Sequence, residues 1–173
     1  MVWFLWQAIQ TKKIMERSKA MNHMKELSYK KFVIMMLISF LIMYIVMFLN
    51  IDKISHYHTS TTRIYMALLM VAPMAVVMMT MMGKMYPDKR INTGIVISGI
   101  VLFAVILAAL RTQTPIRDIQ YMKAMIPHHS SAIMVSKNAD IKDPEVKKLS
   151  EQIIQSQEKE IAEMEAILNR LEK

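Results

Sequence analysis

The sequence has no cysteine at any of its 173 positions, which removes disulfides, thiolate zinc sites and cysteine nucleophiles together. Only three glycines occur, and there is no phosphate loop, no Ser nucleophile elbow and no HExxH stretch, so the chain is not expected to be an enzyme. A ferritin-type di-iron site would need Glu-x-x-His pairs, and three residues after Glu160 stands Glu163 instead. Acidic residues are also few, 14 against 22 Lys and Arg, for a formal charge of +8. That excess is not a nucleic-acid footprint, because from Arg111 onward 10 basic residues face 10 acidic ones.

What is abundant is apolar: 54% of the chain, with 20 methionines. Phe32–Leu49, Ile64–Gly83 and Thr93–Leu110 contain no acidic or basic side chain, and each approaches the roughly 20 residues that cross a bilayer. They predict three transmembrane helices, over 32–49, 64–83 and 93–110, forming a membrane domain over 32–110. Residues 1–31 lack the cleavage site of a signal peptide and read as a basic amphipathic arm on the lipid headgroups. Met21, His23 and Met24 in this arm read as part of a surface helix.

Seven Lys and Arg precede Phe32, three more lie between the second and third runs, and only Lys53 and Arg63 lie between the first and second. This asymmetry places the N-terminus in the cytoplasm of a bacterial inner membrane, and residues 111–173 in the periplasm or outside the cell. Membrane lipids are therefore expected partners, and nucleic acid is not.

After Leu110 the sequence turns polar and helix-forming. Thr114 followed by Pro115 reads as a helix start, with Pro127 bending that helix before it ends near Asn138. Asp143 then caps a second helix from Pro144 nearly to Lys173. The expectation is all-α: three spans followed by an antiparallel α-hairpin. Val146, Ile153, Gln157, Glu160, Met164, Leu168 and Leu171 form its second-helix stripe. A hairpin this short closes only a small core, so self-association into a four-helix bundle is expected.

Inside the hairpin, the stretch from Met125 to Ile133 reads MIPHHSSAI. Asp118, Met122, Met125 and His129 follow spacings of four, three and four, which share one helix face. That face would meet Gln157, Glu160 and Met164. His128 is turned about 100° from His129, which suggests a site shared across an interface. Neutral thioether sulfur with imidazole nitrogen is the donor set of copper(I) or silver(I), whereas zinc prefers thiolate and calcium carboxylate. The metal ligands expected are His128, His129, Met125 and Met164, with Met122 and Met134 as auxiliaries. Glu160 and Gln157, with Asp118, would orient an imidazole N–H. The alternative is a structural or interaction module in which the histidines pack and satisfy one another.

The run from Asp118 through MIPHHSSAI and DPEV to SQEKEIAEM resembles the family named domain of unknown function 305, over about the last sixty residues. The resemblance implies a helical, ferritin-like bundle, often periplasmic or membrane-anchored, of which only half fits here. It also implies a connection with copper or silver binding and tolerance, seen in some members. The family's shared residues fall on Asp118, Met125, His128, His129, Gln157, Glu160 and Met164. One departure is that the methionine usual after the histidines comes one place early, at Met134, with Val135 in its position.

Elsewhere, Met66, Met70, Met74, Met78, Met81 and Met85 lie within about 120° on a helical wheel, and Met36, Met43 and Met47 form a shorter stripe. Such a ladder could conduct copper(I) across the membrane, or could be apolar filling. The three-helix layout with repeated MxxxM spacing is similar to eukaryotic copper importers, though in the opposite orientation. Small residues Gly94, Ser98, Ala104 and Ala108 would let the third helix pack closely. His56 and His58 lie on the same side as the hairpin and could add nitrogen ligands, or could flank an interfacial Tyr57. Taken together, the sequence reads as a membrane-anchored copper(I) or silver(I) binder serving metal tolerance or handling, in contact with metal-handling proteins.

Overall fold

The computed structural model describes residues 2–173. The protein is all-α, and among the described residues there is no strand. The helices are α1 (Val2–Val46), α2 (Thr61–Met82), α3 (Lys89–Thr112), α4 (Asp118–Asn138) and α5 (Pro144–Leu171), with short 3-10 turns at Ile54–His56 and Gly83–Met85. Three helical stretches, Gln10–Val46, Thr61–Met85 and Lys89–Thr112, are long and apolar enough to cross a membrane. The basic arm is helical and continuous with the first span, because no glycine or proline interrupts it. That helix ends at Val46, three residues before the expected boundary.

Two compact units divide the chain. The first joins residues 1–39 and 71–102. Phe32, Met79 and Tyr86 form its core, flanked by Tyr29, Met36 and Met78, and the Phe32 and Tyr86 rings meet edge to face at 5.9 Å. Beside them the Tyr29 hydroxyl donates to Asn92 Oδ1 at 2.7 Å, while Lys25 is ion-paired with Asp88. Asp88 Oδ1 accepts from the Arg90 and Ile91 amides at 2.9 and 3.2 Å, capping α3.

Lys25, and then the Ile91 amide, hold the Asp88 carboxyl below the usual carboxylate range. A carboxyl depressed in the folded state contributes stability above its ordinary pKa of about 4 and loses it as pH falls through the lowered value. The unfolding midpoint should therefore drop below about pH 4. Asp88→Asn, scanned over the same acid range, should flatten that loss.

A small residue of α3 mediates close packing in this unit, but at a different position from those expected along that helix. Gly94, Ser98, Ala104 and Ala108 are all exposed, whereas Gly99 is buried. A Cβ on Gly99 would lie 2.8 Å from Val76 Cγ2 and 3.3 Å from the Ala72 carbonyl oxygen. The stiff, β-branched Val76 cannot step aside cheaply. Gly99→Ala should cost about 1–3 kcal/mol of overpacking, more than the roughly 1 kcal/mol of helix propensity it gains. Gly94→Ala, with nothing within 4 Å of the new methyl, should hold or raise the thermal midpoint in detergent.

The second unit joins residues 40–70 and 103–173. The Arg63 guanidinium lies 4.2 Å from the Phe48 ring centroid and donates to the Met47 carbonyl, satisfying an oxygen left free where α1 ends. α3 ends with Gln113 in the left-handed region at φ 53° and a cis Thr114–Pro115 bond. Ile116 N–H closes a turn on Gln113 O at 2.8 Å. α4 thus begins at Asp118, not at Pro115: the proline sits in the turn itself rather than in a first helical position. α5 starts as expected, with Asp143 Oδ1 accepting from the Glu145 and Val146 amides at 2.9 and 3.0 Å.

Candidate metal centre

α4 and α5 pack along Met122, Ile126, Ile133, Ile161 and Leu168, with Ile119, Ile154 and Met164 against them. The α5 stripe is rotated from the expected one. Val146, Glu160 and Leu171 are exposed, while Ser150, Ile161 and Leu168 are buried. The branched apolar residues Ile154 and Ile161 take the centre of the face, which moves Glu160 to its edge.

From that edge Glu160 reaches the motif. Its Oε2 lies 2.7 Å from His129 Nε2, and His129 Nδ1 lies 3.0 Å from the Met125 carbonyl oxygen one turn earlier. The Met125 carbonyl only accepts, so Nδ1 is the nitrogen that donates to it. The Nδ1–H bond to a backbone carbonyl fixes the ring and leaves Nε2 as the nitrogen able to ligate. The His129 side chain is 9% exposed and that of Glu160 47%. A soft ion arriving at Nε2 would therefore displace a carboxylate that is free to swing into solvent. The Ser156 hydroxyl, 2.7 Å from Glu160 Oε1, and then His129 hold the Glu160 carboxyl below the usual carboxylate range.

The remaining expected residues divide by burial. Met122 is buried in the core, Met164 packs against it, and Met125, Met134 and Gln157 are half-buried. His128 is exposed, its ring centroid 6.0 Å from that of His129. Asp118 is exposed in the first turn of α4. Among the described residues no three His, Asp or Glu side chains gather as metal ligands, so a centre here would draw on thioether sulfur. Met66, Met70, Met74 and Met81 on α2 and Met85 in the 3-10 turn after it are exposed, and Met78 is half-buried. The buried methionine of α2 is Met79, which lies off the ladder.

The connection between α1 and α2 reaches α4 through contacts that no spacing in the sequence signals. Asp52 N–H donates to Ser130 Oγ at 2.8 Å, His56 Nδ1 lies 2.8 Å from the same oxygen, and Asn50 Nδ2 donates to Ser131 Oγ at 2.7 Å. The Thr61 amide and hydroxyl both donate to Gln120 Oε1, at 2.8 and 3.0 Å. Lys137 ties Asp52 to Glu158 at 3.1 and 3.3 Å. His56 is buried, but it faces a cavity of about 260 Å³ lined by Ile161, Glu158 and Glu165, whereas His129 pairs with Glu160. The two imidazoles thus address different residues of α5. Burial pushes the His58 imidazole below its ordinary value, opposed by Glu165. Ser130→Ala would strip the buried His56 imidazole and the half-buried Asp52 amide of a partner and should cost about 1–3 kcal/mol, read as a lower unfolding midpoint with α-helix content unchanged.

Residues 104–170, from the last turns of α3 through most of α5, match the family described as Domain of unknown function (DUF305). The chain belongs to the DUF305 family. Uncharacterized protein L153 of Acanthamoeba polyphaga mimivirus is 43% identical over 107 residues, covering 61% of this chain and 68% of that protein. An alignment of that length is longer than the hairpin and extends into the spans. No solved structure matches the chain. The DUF305 match includes every ligand expected in the hairpin, from Met122 to Met164, but not the loop that covers Ser130.

Proposed function

We propose that this DUF305 protein is a membrane-anchored binder of copper(I) or silver(I), acting in metal tolerance or handling rather than catalysis. The supporting observation is the orientation of His129: its Nδ1 is committed to the Met125 carbonyl and its Nε2 is held by a displaceable carboxylate. Three methionines sit on the same two helices, Met122 and Met164 in the core and Met125 half-buried. Sulfur and imidazole suit a soft monovalent ion, which is cargo here. His128, exposed beside His129, would complete the site from a second copy, which is also how the half-bundle would be completed. The Lys and Arg asymmetry puts the N-terminus inside and the hairpin outside, which in a bacterial inner membrane is the periplasm. There the ion would pass to or from other metal-handling proteins.

The test is retention of metal by the full-length protein in lipid nanodiscs, passed anaerobically through a desalting column. Copper(I) or silver(I) should be retained near one ion per one or two chains, with zinc and calcium washed away. Retention of neither soft ion would contradict the reading.

A further inference from the structure

The α4–α5 hairpin is covered on one side and bare on the other. Contacts from the α1–α2 connection end on Gln120, Ser130 and Ser131 of α4, and on α5 Glu158 and Glu165 line the cavity beside His56. Glu160 stands about 160° around α5 from Glu158, so its bond to His129 marks the opposite side. There, large apolar side chains remain in the open: Tyr121, Val146, Leu149, Ile167 and Leu171 are 39–55% exposed. Their spacing is that of helix faces made for burial. Tyr121, Met125, His128 and Ala132 follow steps of four, three and four on α4. On α5, Val146, Leu149 and Ile153 follow steps of three and four, and steps of seven lead on through Glu160 to Ile167, with Leu171 four further.

We propose that this face is the contact between two copies of the chain, joining their hairpins into a four-helix bundle. Periodicity, charge and area select that occupant. Stripes at steps of three and four pack against helices. Their ionisable members are one imidazole, His128, and one carboxylate, Glu160, which Ser156 and His129 already hold, so two like faces meet without an unpaired charge between them. α4, at 21 residues, is about 30 Å long and a helix pair about 20 Å wide, so the face projects to roughly 600 Å². Its corrugated accessible surface exceeds that and approaches the ~800 Å² per partner of a stable interface. Only the role of His128, presented to the other copy, rests on the copper(I) reading; the contact itself needs no metal.

Native mass spectrometry of the metal-free, full-length protein in detergent, over a dilution series, tests this. The wild type should be dimeric. Leu149→Glu with Ile167→Glu, which puts two charges into each copy's face, should raise the dissociation constant about tenfold or more, whereas Gln155→Glu, elsewhere on α5, should leave it unchanged. Leu149→Cys, in a chain that has no cysteine, should resist maleimide where the dimer forms and react on dilution. A monomeric wild type, a dimer indifferent to Leu149→Glu with Ile167→Glu, or a Leu149→Cys thiol still protected in the monomer because the chain itself covers it, would overturn the proposal. A monomer that retains copper(I) would overturn it and leave the metal reading intact, while a dimer that retains none would uphold the contact and contradict the metal reading.

Discussion

Truncating Ile126 to alanine should lower the stability of the α4–α5 hairpin by about 2–5 kcal/mol, the range for a fully buried aliphatic side chain whose surroundings relax only partly. Ile126 is 0% exposed and shares a core with Met122, Ile133, Ile161 and Leu168. Its neighbour Pro127 is fully buried as well, and two of the polar contacts from the preceding loop end on Ser130, one turn later. Collapse of α4 into the cavity would have to break those contacts. Amide hydrogen exchange of α4 and α5 in the full-length protein reads the loss directly, because the slowest amides there report the opening free energy of that packed pair. Val135→Ala, at a position 56% exposed, should stay within about 0.5 kcal/mol. A cost for Ile126→Ala no larger than that control would contradict a packed hairpin core.

Replacing His128 and His129 together by alanine should weaken copper(I) binding by about 100-fold or more, since removal of even an outer partner of a ligand costs about 10–100-fold. His129 should account for most of the loss, being buried and held by two hydrogen bonds. The effect of exposed His128 should depend on protein concentration if its partner is a second copy. Met164→Leu separates ligation from packing: the swap nearly conserves volume and should leave the fold intact, yet it removes a sulfur. Anaerobic competition with a chromophoric copper(I) chelator reads the double-histidine variant, each single histidine variant and Met164→Leu. Equal affinity in the wild type and the double-histidine variant would instead support the packing alternative.

Much of the architecture was legible in the sequence because it is written locally. Uncharged apolar runs mark the spans, and Asp143-Pro144 sets the start of α5 where expected. Features that depend on tertiary competition were not. On a wheel Glu160 belongs with Ile153 and Met164, but the α4 surface selects Ile154 and Ile161 for the core, and one position of rotation moves Glu160 to the edge of that face, from which it still meets His129 as the spacing predicts. Gly99 and Gly94 look alike in sequence, and only the approach of Val76 and Ala72 distinguishes them. The seating of Asp52 and His56 on Ser130 joins residues more than seventy positions apart, for which no local periodicity is a sign. For the site, residue types and spacing were readable from MIPHHSSAI. The assignment of Nδ1 to the Met125 carbonyl, which singles out Nε2, required coordinates.

Copper K-edge X-ray absorption on the anaerobically loaded, full-length protein addresses the central claim most directly. A copper(I) shell of imidazole nitrogen mixed with thioether sulfur, losing its nitrogen in His129→Ala and sulfur in Met164→Leu, is the result predicted. A shell of oxygen alone, or a spectrum unchanged in both variants, would contradict it.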